Sequence, residues 1–186
     1  MVDFWQGVEF SHMLLKEYII KGDTVVDATA GNGHDTVYLA NLVGREGKVW
    51  SFDIQKAAIY NTRKKLMERS LENRVELIKD GHQNLEKYIN KKIKAMVFNL
   101  GYLPGGDKEI TTEKNTTLAA LDKGLSLLTN GGLIVLVIYT GHPGGIDELN
   151  TILCYTSELD ENIYNVLKYN FINQDTSPQV LAIIKR

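Results

Sequence analysis

The chain of 186 residues has one cysteine, Cys154, and three prolines. A single thiol excludes an internal disulfide and any zinc site built from several cysteines. It suits a reducing compartment, and a cytoplasmic location is expected. The prolines, Pro104, Pro143 and Pro178, sit in polar or glycine-rich stretches, where they punctuate the chain and break no element. Strong charge is lacking too: 21 Lys and Arg stand against 23 Asp and Glu, for a net charge of -2. Proteins that hold nucleic acid by bulk electrostatics are usually basic, so any such contact here must rest on local patches and a specific pocket. No apolar run approaches the ~18 residues that a bilayer span needs, so no membrane partner is expected. The start, MVDFWQGVEFSHMLLKEY, carries Asp3 and Glu9 and has no basic segment followed by an apolar run, unlike a secretory signal. What is present, 44% hydrophobic and 24% charged residues, describes an ordinary globular protein. A single domain over 1–186 is expected.

Short apolar runs alternate with amphipathic segments. Phe10, Met13, Leu14 and Ile19 recur at helical spacing, predicting an N-terminal helix over about 8–20. Strands are expected at Thr24–Ala28, Lys48–Asp53, Val75–Ile78, Ile93–Asn99 and Leu133–Tyr139, the last wholly apolar as a strand buried on both faces should be. Helices are expected between them, over about 35–42, 56–70, 85–89, 115–128 and 145–157, with Gly131-Gly132 turning the fourth of these. Tyr164–Phe171 and Gln179–Lys185 read as two late strands with no helix between them. This alternation predicts an α/β fold with a parallel sheet covered on both faces. The late pair should lie antiparallel at one edge, for seven strands in all. The layout resembles the Rossmann-like class I methyltransferases.

In open α/β sheets ligands sit beyond the carboxyl ends of the strands. Three features fall there. Asp27-Ala28-Thr29-Ala30-Gly31-Asn32-Gly33 joins the first strand to a helix opening at Asp35, and its glycines allow a tight turn and close approach to a ligand. Gly31 and Gly33 match the last two glycines of the methyltransferase Asp-x-Gly-x-Gly-x-Gly loop, and Thr29 replaces the first. A nicotinamide loop would want Gly-x-Gly-x-x-Gly, and its third position here is Thr36. Asp53, ending the second strand, can accept both ribose hydroxyls of a nucleoside, or cap the following helix. Gln55 is placed for the adenine or ribose edge. Asp80-Gly81-His82 follows the third strand, where Gly81 and His82 either border an adenine or form a solvated turn. Taken together, the ligand described carries an adenosine.

The fourth strand runs into Asn99-Leu100-Gly101-Tyr102-Leu103-Pro104-Gly105-Gly106. Amine-methylating enzymes often carry Asn/Asp-Pro-Pro-Tyr/Phe here, and this is a relaxed relative. An amine nucleophile must aim its lone pair at the methyl group. The Asn99 amide oxygen and the Leu100 carbonyl can hold its N–H groups. Tyr102 can wall the pocket and stack on a base, or simply pack. Basic residues cluster at Arg63, Lys64, Lys65 and Arg69, and again at Lys87, Lys91, Lys92 and Lys94. Such runs usually form solvated helix faces, and both are expected away from the strand-end rim.

Asp-Ala-Thr-Ala-Gly-Asn-Gly-His-Asp-Thr (27–36), Phe-Asp-Ile-Gln (52–55), Asp-Gly-His (80–82), Asn-Leu-Gly-Tyr-Leu-Pro-Gly-Gly-Asp (99–107) and Tyr-Thr-Gly-His-Pro-Gly-Gly (139–145) together resemble one small bacterial family over nearly the whole chain. It was first labelled rRNA methylase and is associated with methylation of 5-aminomethyl-2-thiouridine at the wobble position of tRNA. The resemblance implies S-adenosylmethionine as cofactor, methyl transfer to the exocyclic aminomethyl nitrogen, the tRNA anticodon loop as partner, and a homodimer. It places Asp27, Gly31, Asn32, Gly33, Asp35, Asp53, Gln55, Gly81, His82 and Asn99 at the cofactor. Asn99 and Tyr102 fall at the chemistry, and Leu100, Tyr102 and His142 at the substrate. His142 could contact phosphate or take a proton, or be structural. Rival readings are an rRNA or small-molecule amine methyltransferase, a nicotinamide-binding reductase and a non-catalytic adenosine-binding protein.

Overall fold

Seven strands build one twisted sheet in a computed structural model that describes residues 4–186. The chain order is α1 (Gly7–Tyr18), β1 (Thr24–Asp27), α2 (His34–Val43), β2 (Lys48–Phe52), α3 (Lys56–Met67), β3 (Val75–Ile78), β4 (Ile93–Leu100), α4 (Lys114–Leu127), β5 (Leu128–Ile138), α5 (Gly145–Ser157), β6 (Tyr164–Tyr169) and β7 (Gln179–Lys185). Two 3-10 turns, Glu72–Arg74 and His82–Lys87, flank β3. Across the sheet the order is β3-β2-β1-β4-β5-β7-β6. The strands from β3 to β5 pair in parallel. β7 runs antiparallel between β5 and β6, which gives the expected antiparallel edge. The order reverses between β1 and β4, and the crevice at such a reversal is where α/β sheets bind ligands. Among the described residues no helix is long and apolar enough to cross a membrane.

Period-two alternation sends successive strand residues to opposite layers. Ile134, Leu136 and Ile138 of β5 face one core with Met96, Phe98 and Leu121. Leu133, Val135 and Val137 face the other with Leu15, Leu39 and Leu66. That two-sided burial accounts for the apolar run of β5.

Gly131-Gly132 departs from expectation. They do not turn a helix into a strand: α4 ends at Leu127 and pairing begins at once, with Ile93 opposite Leu128. The next pair is Ala95 with Leu133, so β5 takes five steps where β4 takes two. The glycines form that bulge. Gly131 has φ +68, and its carbonyl accepts the Lys94 ammonium at 2.7 Å. The expected helix over 85–89 is instead the 3-10 turn at His82–Lys87.

Gly33 has φ +79 and caps α2 at its N-terminus. A Cβ there would lie 2.9 Å from the Thr62 Cα on α3, so the glycine lets two helices meet. Gly33→Ala is expected to destabilise the fold by about 3 kcal/mol, combining left-handed strain with overpacking. Urea unfolding checks this, and a change below about 1 kcal/mol would mean that α3 moves aside freely.

Candidate functional site

The loop from β1 to α2 is anchored from below. Asp27 is fully buried. Its carboxylate accepts the Thr36 hydroxyl at 2.5 Å and the Thr29 N–H at 3.1 Å, and Thr36 meets the Ser51 hydroxyl at 2.9 Å. Asp27 therefore shows no surface to the rim and shapes the loop instead. Burial, and next the charge of Asp35, push its carboxyl up to about 7. The folded state thus keeps a proton that an unfolded aspartate releases near 3.9. Stability from this group is full below about pH 4 and is lost as pH rises to about 7. Asp27→Asn is expected to flatten that part of a Tm-versus-pH curve. An unchanged slope would assign the pH dependence to other groups.

Asp53 stands half-buried at the end of β2. One oxygen accepts the Gly31 N–H at 2.9 Å, the other the Gln55 N–H at 2.8 Å. Burial raises its pKa, against those N–H groups. A carboxylate offers about four lone-pair sites, so two remain for a diol. A Cβ built on Gly31, at φ +51, would meet nothing closer than 3.8 Å, so this side of the loop is open. These features fit an adenosine ribose. The capping alternative is met only in part: Asp53 forms a turn onto Gln55, the residue ahead of α3, whose own side chain makes no cap. Asn32 accepts from the Asn61 amide at 3.0 Å and donates to the Pro104 carbonyl at 3.0 Å, tying the loop to α3 and to the segment after β4.

Of its two readings, the solvated turn does not hold for His82. It is a core histidine. Nδ1 donates to the Ala28 carbonyl at 2.9 Å, the ring lies edge-on to Phe98, and burial lowers its pKa, so the imidazole is neutral. Gly81 is buried beside it. Asp80 accepts the Asn84 amide, the Gly81 N–H and the Tyr88 hydroxyl, each within 2.9 Å.

At the end of β4 the Asn99 N–H donates to the Thr29 hydroxyl at 2.7 Å, which gives that replacement of a loop glycine a cross-linking task. The Asn99 Nδ2 donates to Asp35 Oδ2 at 3.2 Å, leaving Oδ1 without that bond. Asp35 Oδ1 meets His12 Nε2 of α1 at 2.7 Å. The Leu100 side chain is buried and its carbonyl accepts the Tyr139 N–H at 3.1 Å, so one of the two expected substrate acceptors is already engaged. Tyr102 is 43% exposed, pairs with Thr111 in a β-bridge and carries the Lys108 ammonium 5.8 Å from its ring centre. The segment returns as the Thr112 N–H donates to Gly101, and the Thr112 hydroxyl donates to Glu148 on α5 at 2.8 Å. Glu148 is buried and also accepts the Thr117 hydroxyl at 2.6 Å. His142 is 9% exposed. Its Nδ1 meets the Pro143 carbonyl at 3.0 Å and its Nε2 finds no partner among the described residues. A Cβ on Gly145 would come within 3.0 Å of that nitrogen, so the glycine makes room for the ring.

Lys64 and Lys65 do not sit away from the rim. With Asn32, His34, Asn61 and Glu68 they line a cleft of about 340 Å³ beside the glycine loop. Sequence reasoning missed His12, Glu148 and the bonding of Thr29. His12 shows locally as one polar residue of an amphipathic helix, and Glu148 as an ordinary first-turn acid.

Residues 49–185 match the family described as "Putative rRNA methylase". The chain belongs to that family. The family is one of S-adenosylmethionine-dependent methyltransferases, as the Asp53 rim and open glycine loop suit. A chloroplastic tRNA (mnm(5)s(2)U34)-methyltransferase of Arabidopsis thaliana is 37% identical over 192 residues, covering 97% of this chain and 70% of that protein. A Clostridium thermocellum structure of the family's description is 47% identical with a TM-score of 0.97, and a Streptococcus mutans methyltransferase in complex with SAH is 38% identical at 0.90. Each covers 100% of both chains.

Proposed function

We propose that this chain methylates the aminomethyl nitrogen of 5-aminomethyl-2-thiouridine at wobble position 34 of tRNA, giving 5-methylaminomethyl-2-thiouridine. Asn99 carries the reading. Its Nδ2 is committed to Asp35, so its Oδ1 is the end left to accept an amine N–H and turn the lone pair. The name of the Arabidopsis relative, a tRNA (mnm(5)s(2)U34)-methyltransferase, supports a wobble-uridine substrate. Bound S-adenosylmethionine supplies an electrophilic methyl on a sulfonium; as the N–C bond forms, the S–C bond breaks and its electron pair stays on sulfur. Asp53 holds the ribose hydroxyls, and the Gly31–Gly33 turn lets the cofactor approach the backbone. Asn32 ties that turn to the acceptor loop, and Gln55, Gly81 and His82 shape the adenine side. Asp27 acts through the loop it anchors.

Tyr102 offers an exposed aromatic face to an unpaired base, and His142 backs the Gly101 turn beneath it. A base presented in an anticodon loop is unstacked cheaply, so one pocket and a few phosphate contacts suffice for a chain of net charge -2. Lys64 and Lys65 are the cations placed to meet phosphate. The working unit in this reading is one methyltransferase domain, paired as a homodimer in the cytoplasm.

Nucleoside mass analysis of tRNA from cells lacking the protein tests this. Accumulated 5-aminomethyl-2-thiouridine with loss of its N-methyl product is expected. Unchanged tRNA nucleosides, with labelled methyl transferred instead to rRNA or to small amines, would overturn it.

A further inference from the structure

The geometry points to Asp35 as the proton acceptor for the substrate ammonium, aimed by His12; this rests on the amine reading above. Asp35 occupies the first turn of α2, almost fully buried. Its two oxygens face different ways: Oδ1 to His12 Nε2 at 2.7 Å, Oδ2 to the Asn99 amide at 3.2 Å. Among the described residues no lysine or arginine forms an ion pair with it. An enclosed carboxylate paired with no lysine or arginine among the described residues, one hydrogen bond from the residue that holds the amine, suits an ammonium and then its proton.

His12 is itself built in. Its ring stacks on Tyr38 with centres 3.9 Å apart and planes within 6°, and the Tyr38 hydroxyl donates to the His12 carbonyl at 2.8 Å. The His12 Nε2–H donates to Oδ1, which leaves Oδ2 directed to Asn99. The titratable groups facing this pair are Asp27 beneath it, Tyr38 on α2 and Tyr139 after β5. Asp35 raises Asp27, and it also raises the Tyr139 hydroxyl behind the larger effect of burial. Neither is a proton acceptor placed on Asn99. His142 is not either, because its unpartnered Nε2 packs against Gly145.

The step balances simply. The aminomethyl group arrives as an ammonium. One N–H bond breaks, its electron pair stays on nitrogen as the attacking lone pair, and the proton moves to Asp35 Oδ2. Water takes it when the product leaves. His12 is a positioning residue.

Asp35→Asn and His12→Ala should each cut kcat/KM for aminomethyl-uridine tRNA by about 100-fold at about pH 7. The deficit should shrink to about 5-fold near pH 9.5, where much of the free amine is already neutral. His12→Gln, which keeps an N–H donor, should recover most of the His12→Ala loss. S-adenosylhomocysteine affinity by calorimetry should stay within about 3-fold throughout, since in this proposal the pair serves the amine, in place of the cofactor role that the family resemblance gives Asp35. A deficit equal at both pH values, or a tenfold loss of S-adenosylhomocysteine affinity, overturns the assignment and makes Asp35 a structural or cofactor residue. If Asp35→Asn fails to fold, the pH dependence of His12→Ala against His12→Gln decides alone. A wild-type enzyme that methylates unmodified-uridine tRNA equally well overturns the amine reading itself, and it shows in the control before any variant is assayed.

Discussion

Asp53→Ala is expected to weaken S-adenosylmethionine binding by about 10- to 100-fold, the equivalent of one charge-assisted hydrogen bond at about 1.5–3 kcal/mol. Two losses combine. The ribose hydroxyls lose their acceptor, and the Gly31 N–H loses the oxygen that holds the glycine turn at 2.9 Å. Asp53→Asn separates them, because its single amide oxygen can still accept the Gly31 N–H while the charge and one acceptor are gone. The asparagine variant should therefore fall between wild type and alanine. Calorimetry with S-adenosylhomocysteine measures all three. Wild-type affinity in the alanine variant would sink the ribose assignment. Equal loss in both variants would instead mean that charge, and not loop geometry, sets the affinity.

The strand ends were legible because each local rule agreed with the fold. Short strand-forming runs ended in Asp27, Asp53 and Asn99, and glycines or turn residues followed at the ligand edge of the sheet. Residues acting across the sheet were not legible. His12 and Asp35 lie 23 positions apart and meet only because α1, over β4 and β5, and α2, over β1 and β2, pack on the same face of the sheet. Glu148 reaches back 36 positions to Thr112. No spacing rule encodes either pair. His82 misled for a related reason: its turn looks solvated in sequence, yet the ring folds inward to the Ala28 carbonyl, 54 positions away. Gly131-Gly132 misled because a turn and a bulge ask for the same residue, and only the partner strand's register tells them apart.

Asn99→Ala is expected to lower kcat by about 100-fold or more while S-adenosylhomocysteine affinity stays within a few-fold, because the interaction removed orients the acceptor and not the cofactor. The fold should survive. The Asn99 backbone keeps its bond to Thr29 and its place opposite Val137, and the lost side-chain contact is partly exposed. The pH profile adds a second constraint. A primary alkylamine holds its proton to about pH 10 in water, with the uridine ring lowering that value, so kcat/KM should rise from about pH 6 toward about 9, more gently in wild type, where Asp35 takes the proton, than in Asp35→Asn. A pocket walled by Tyr102 and Leu103 beside a sulfonium favours loss of the ammonium proton to Asp35. Asn99 has no proton to titrate, so its alanine variant should run parallel to wild type at a lower level. His142→Gln should keep most of the rise, since that imidazole faces Gly145 and lies nine-tenths buried. A flat profile in His142→Gln would make histidine the base. Parallel loss of cofactor affinity and turnover in Asn99→Ala would make Asn99 a cofactor ligand or a strand cap.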